Sequence, residues 1–192
     1  MNIIREKQQV NEQYKVPFLV NMVGSGLFTG HIPLAPGTYG SFIAFLIYLI
    51  PGFSEFFPLT LSTIIFFVIG IYVSEIMRKR YGEDACQIVI DEIVGQWFTY
   101  LIGSIVFELF LPVKTFDPTF SFPSKVAFGV IGFLFFRFFD IIKLEPAKYL
   151  DSKNTGFGIM ADDIAAGLYA GIFSSVATHF IWYRLLVKWL HL

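Results

Sequence analysis

Residues Ile88–Leu111 read IVIDEIVGQWFTYLIGSIVFELFL. The run is long enough to cross a bilayer, which takes about 20 mainly apolar residues. Its two adjacent acids, Asp91 and Glu92, stand at its start. Asp91, Gly95, Thr99 and Gly103 then recur every four residues, so one helical face carries an acid above a file of small side chains. Small residues on a membrane helix mark the face that packs against another helix. A carboxylate at the head of such a face is directed into the protein interior rather than into lipid.

Outward from this segment the same pattern recurs. Leu59–Met77, Val126–Ile142 and Ile159–Trp182 are each long and apolar enough to span. Ser41–Ile50 is apolar up to Pro51-Gly52, and continuation through Phe57 with a kink would make it a fifth span. Val16–Phe28, interrupted by Gly24 and Gly26, reads as a short helix at the interface or dipping into the bilayer. The expected fold is all-α: a polytopic membrane bundle of four or five spans, with a short N-terminal interfacial or re-entrant helix. Residues 1–192 make one domain, of which 1–15 are a polar tail with no secretory-signal character.

Composition agrees. The chain is 55% hydrophobic and only 15% charged, against about 45–50% and about 25% for soluble domains. A net charge of −1 gives no basic field for nucleic acid. The single cysteine, Cys86, excludes an internal disulfide. With the N-terminal side cytoplasmic and five spans, Arg5, Lys7, Lys15, Arg78, Lys79, Arg80, Lys143, Lys148 and Lys153 fall on the cytoplasmic side. Lys114, Lys125, Arg184 and Lys188 fall outside. That asymmetry follows the positive-inside rule.

The topology places the remaining intramembrane acids at the same face. Asp140 closes the third long run, and Asp162 and Asp163 open the last. Asp163, Gly167 and Gly171 repeat the acid-and-small-residue file. Packing these files together would bring Asp91, Glu92, Asp140, Asp162 and Asp163 into one cluster. Arg137 and Lys143, a turn either side of Asp140, are its nearby cations. Five carboxylates against two cations call for protonation or a bound cation. Clustered oxygens without His or Cys suit Mg²⁺, which completes its shell with water and phosphate. Arg137 and Lys143 could then hold phosphate oxygens of a phosphorylated lipid. Pro33, Pro36, Gly37 and Gly40 break the helix before Phe42, so Thr38 or Ser41 is expected to cap it. Free N–H groups at Gly37 and Thr38, and at Gly158 before the last helix, are expected to face a phosphate.

Three blocks resemble the phosphatidylglycerophosphatase A family: GSGLFTGHIPLAPGTYGS (Gly24–Ser41), IVIDEIVGQW (Ile88–Trp97) and RFFDIIKLEPAKYLDSKNTGFGIMADDIAAG (Arg137–Gly167). The resemblance implies a Mg²⁺-dependent phosphatase that converts phosphatidylglycerophosphate to phosphatidylglycerol, a multi-pass protein of the cytoplasmic membrane whose site faces the cytoplasmic leaflet. It carries over Pro36, Gly37, Thr38, Asp91, Glu92, Arg137, Asp140, Lys143, Gly158, Asp162 and Asp163. Two positions depart: Lys143-Leu144-Glu145-Pro146 where the family commonly has Lys-Pro-x-Pro, and Thr155-Gly156 where it often has Gly-Gly. The attacking group, metal-activated water or a carboxylate, stays open. Two other classes share intramembrane acids. Phospho-alcohol transferases carry a DG-xx-AR pattern absent here. Cation-transport subunits need acids spread through the membrane depth rather than gathered at one face.

Overall fold

The computed structural model describes residues 10–82, 85–110 and 122–190, without the side chains of 110 and 182–190. Lys114, the side chains of Arg184 and Lys188, and residues 1–9 of the polar tail lie outside that description. Among the described residues the chain is all helix and turn. In order these are α1 (Phe18–Gly24), a 3-10 turn (Thr29–His31), α2 (Pro36–Tyr48), α3 (Phe56–Tyr81), α4 (Ile90–Phe110), α5 (Phe122–Ile142), α6 (Ala147–Asp151) and α7 (Gly156–Leu190).

Two segments, Phe56–Tyr81 and Gly156–Ile181, are long and apolar enough to cross a membrane, with mean hydropathies of 2.2 and 1.5. Their outward faces carry exposed apolar side chains such as Leu61, Ile64, Val68, Leu168, Ile172 and Val176. α4 and α5 are 21 residues each, about 31 Å at about 1.5 Å per residue, matching a hydrocarbon core of about 30 Å.

α2 departs from the expected continuous run to Phe57. It stops at Tyr48 after 13 residues. The chain then turns through Pro51 and Gly52, whose φ of 84° suits glycine, and α3 begins afresh at Phe56. At about 1.5 Å per residue α2 itself covers about 20 Å, and the turn that follows carries the chain on to Ser54 at the opposite end of the bundle. Its start also differs. Pro36 takes the first helical position, where its missing N–H costs nothing. Thr38 and Ser41 therefore lie inside the helix and do not cap it. The cap position is Ala35, in the left-handed region at φ 50°.

The helices alternate in direction, so one end of the bundle gathers the C-termini of α3 and α5 and the N-termini of α2, α4 and α7. The tail docks at that end: Asn11 N–H donates to the Arg80 carbonyl at 2.8 Å, and Arg80 Nη1 to the Tyr14 carbonyl at 2.7 Å. At the opposite end Lys125 Nζ donates to Ser54 Oγ at 3.0 Å. The α2–α4–α5 interior is pinned by aromatic contacts. Tyr48 stacks on Tyr100 at 4.2 Å, Tyr100 donates to the Gly129 carbonyl at 3.0 Å, and Trp97 Nε1 to the Ala44 carbonyl at 3.1 Å.

A close contact joins the two small-residue files. A Cβ on Gly95 would lie 2.9 Å from the Asp163 carbonyl oxygen and 2.8 Å from the Phe136 ring. One on Gly167 would lie 2.7 Å from the Gly95 carbonyl oxygen, and one on Gly171 2.9 Å from that of Thr99. α4 and α7 thus run side by side, in the register that sets Asp91 against Asp163. We expect Gly95→Leu to cost about 1–3 kcal/mol through forced separation of the helices. The check is thermal unfolding in detergent, followed by circular dichroism.

Candidate active site

Each acid reaches the site from a helix end. Asp91 and Glu92 occupy the first turn of α4, where negative charge complements the helix dipole. Asp162 and Asp163 lie nearly two turns into α7, and they are 5% and 3% exposed. Asp140 lies near the C-terminus of α5.

Three of the five form one group. Asp91, Glu92 and Asp163 each offer an oxygen, and these atoms all lie within 4.8 Å of one another. Asp91 Oδ1, Glu92 Oε2 and Asp163 Oδ2 are all buried without a hydrogen-bond partner. Buried carboxylate oxygens in that condition are costly unless a cation or donor meets them. The donor set is all oxygen, so it fits a hard divalent cation such as Mg²⁺.

The other two acids are held by cations. Arg137 Nη1 meets Asp140 Oδ2 at 3.0 Å, and Lys143 Nζ meets Asp162 Oδ2 at 2.9 Å. Asp162 Oδ1 also accepts the Asp163 N–H at 3.0 Å, so both of its oxygens are engaged. The charge of Asp140 is felt by Glu92, Asp162 and Asp163. All five predicted acids therefore converge, three with one oxygen each unpartnered among the described residues and two paired with cations.

Lys143 is not presented freely to a ligand. It ends α5 with a left-handed φ of 49°, rare for a residue with a side chain. There its ammonium bridges Asp162 and Asp151, the latter at 2.6 Å. Burial works against its charge, but those two carboxylates outweigh burial and raise its pKa above the ordinary lysine value. The result is a clamp between the 143–155 loop and α7.

Gly37 packs where a side chain cannot: a Cβ there would strike Glu92 Oε1 and lie 3.2 Å from Arg137 Nη1. Two of the three expected phosphate-facing N–H groups are otherwise occupied. That of Thr38 donates to the Ala35 carbonyl at 3.0 Å, and that of Gly158 to Thr155 Oγ1 at 3.0 Å. Gly158 instead lets the 143–155 loop approach α7, since a Cβ would sit 2.8 Å from the Leu150 carbonyl.

Sequence reasoning missed several members. Asp151 reads as a solvated loop acid, yet it holds Lys143. Glu75 reads as a span-end group reaching water, yet its Oε2 accepts the Gly156 N–H at 2.9 Å and fixes the start of α7 to α3. Ser41 accepts from Arg137 Nη1 at 3.4 Å and donates to the Gly37 carbonyl at 3.0 Å. Its place four residues after Gly37, facing inward, was the available signal. His31 closes the turn Thr29–His31 and pairs with Asn21 at 3.0 Å, away from the acids.

The sequence profile of the phosphatidylglycerophosphatase A family matches residues 22–178, a span that contains every residue of this site. A Bacteroides thetaiotaomicron protein named "Putative phosphatidylinositol-3-phosphatase" is 29% identical over 165 residues, covering 83% of this chain and 94% of its own. Phosphatidylglycerophosphatase A of Escherichia coli K12 is 28% identical over 178 residues, covering 91% and 93%. That of Haemophilus influenzae is 32% identical over 159 residues, covering 80% and 85%. No solved structure matches the chain.

The Gly37 contact generates a test. We expect Gly37→Ala to displace Glu92 and lower phosphatase turnover by about tenfold or more, as about 1 Å of misplacement does at other sites. Helix content by circular dichroism should stay unchanged.

Proposed function

Because this chain belongs to the phosphatidylglycerophosphatase A family and is a lipid phosphatase, we propose that it hydrolyses phosphatidylglycerophosphate to phosphatidylglycerol and inorganic phosphate with Mg²⁺. The observation that carries the cofactor is the set of three bare oxygens on Asp91, Glu92 and Asp163. When bound, Mg²⁺ supplies a Lewis acid for the phosphoryl oxygens and offsets their charge.

The chain's own residues do the rest. Asp91, Glu92 and Asp163 would hold the ion. Arg137 lies beside Glu92 and offers an unpartnered, buried Nε to an anionic oxygen of the lipid. A water attacks phosphorus, the bond from phosphorus to the glycerol oxygen breaks, and the leaving oxygen takes up a proton. Asp140 keeps one oxygen outside its pair with Arg137 and is the group we assign to receive the water's proton. Asp162 and Asp151 position Lys143 and so hold the loop over the cluster.

The proposal extends to the setting. α3, α4, α5 and α7 cross the cytoplasmic membrane, the short α2 with the turn after it makes the remaining crossing, α1 lies at the interface, and the acidic end faces the cytoplasm. The basic residues at that end, Arg78, Lys79 and Arg80 in the last turn of α3 among them, support this orientation. The substrate is then a phospholipid of the cytoplasmic leaflet.

The test is phosphate release from phosphatidylglycerophosphate in mixed micelles by the purified chain. We expect release to require Mg²⁺ and to fall by about 100-fold or more in Asp91→Asn and Asp163→Asn, the scale for removing a preorganised electrostatic group. Undiminished turnover in either variant refutes its role. The name of the Bacteroides relative makes phosphatidylinositol 3-phosphate the competitor substrate. Faster release from that lipid would replace the proposed reaction.

A further inference from the structure

Gln96 stands on α4 one turn beyond Glu92 and one turn before Tyr100. Both neighbours face the seam between α2 and α5. Glu92 lies against Gly37 and beside Arg137, while Tyr100 stacks on Tyr48 and donates to the Gly129 carbonyl. Residues four apart share a helical face, so Gln96 points into the same seam between them. It is 0% exposed, yet neither its Oε1 nor its Nε2 has a partner. A primary amide buried in that state is rare, because its lost hydration is not replaced. Arg137 Nε, in the same seam, is also buried without a partner. Ser41 Oγ lies 3.4 Å from Arg137 Nη1.

Gln96 lies deeper than the carboxylates, and the backbone of Arg137 lies deeper than that of Asp140. Gln96 is about 6 Å further along α4 than Glu92, at about 1.5 Å per residue. Arg137 precedes Asp140 on a helix that runs toward the acidic end. In a lipid the phosphate farthest from the acyl chains sits outermost, so the part joining it to the diacylglycerol must lie on the deeper side. In phosphatidylglycerophosphate that part is a phosphodiester and a glycerol hydroxyl. A guanidinium N–H suits the anionic oxygen, and an amide that both donates and accepts suits the hydroxyl. Beyond them Phe42 on α2 and Leu134 on α5 are exposed and apolar, an outlet for acyl chains.

We infer that Gln96, with Arg137 and Ser41, forms a second and deeper polar subsite that binds the phosphodiester and hydroxyl-bearing spacer of the head group. It thereby selects lipids in which such a spacer separates the cleaved phosphate from the diacylglycerol. This rests on the proposed reaction and adds its specificity determinant.

The experiment measures kcat/KM for phosphatidylglycerophosphate and for phosphatidic acid, which has no spacer, on the same preparations of wild type, Gln96→Met and Ser41→Ala. The ratio of the two values does not depend on the fraction of folded protein. We expect Gln96→Met to lower the ratio by about tenfold, the loss of a buried hydrogen-bonding partner for substrate. Ser41→Ala should lower it in the same direction, and it decides the matter if Gln96→Met yields no folded protein. An unchanged ratio in the variants, with a wild type active on phosphatidylglycerophosphate, overturns the subsite and leaves the reaction standing. A wild type inactive on phosphatidylglycerophosphate refutes the reaction itself and the subsite with it.

Discussion

The contact between Gly95 on α4 and Gly167 on α7 sets the position of everything at the acidic end. The Gly95 carbonyl faces Gly167 so closely that a Cβ would collide. In lipid, apolar surface gives no drive for helices to associate, and close packing over small residues supplies it. Because the two helices run the same way in this register, their opening acids are carried to the same depth. Asp91 and Glu92 meet Asp163 with no loop needed to aim them. Phe136 closes the third side by packing on Gly95, and that packing brings Arg137 and Asp140 to the same level.

The charges at that level do not balance within the protein. Arg137 answers Asp140, and Lys143 answers Asp162 and Asp151. Among the described residues Asp91, Glu92 and Asp163 are each left with one buried oxygen that has no partner. That imbalance is what supports the proposed cation. The paired acids hold the frame: Asp162 anchors the loop through Lys143, and Asp140 fixes Arg137.

Much of this was legible in the sequence because it depended on helical period and on position along a span. The files Asp91–Gly95–Thr99–Gly103 and Asp163–Gly167–Gly171 announced both the packing faces and the convergence of the acids. Where the reading failed, the deciding contacts were between segments far apart in sequence or within turns. The cap of α2 fell to Ala35 because Pro36 is a better first helical residue than Thr38 is a cap in that context. The run from Ser41 to Phe57 broke because Pro51-Gly52 made a turn rather than a kink. Gly37 and Gly158 proved to be places of close approach, and the Gly158 N–H is taken by Thr155. Asp151 and Gln96 carry no local pattern, and Glu75 shows only its i,i+3 pair with Arg78; the Asp151–Lys143 and Glu75–Gly156 contacts, and the unpartnered amide of Gln96, exist only once the helices are assembled.

The account turns on whether two helices share one divalent ion. Mn²⁺ titration of the detergent-purified chain, followed by electron paramagnetic resonance, measures this directly. The account predicts one tightly held ion, lost alike when Asp91 on α4 or Asp163 on α7 is changed to Asn. Retention of that ion after removal of either helix's carboxylate would contradict it.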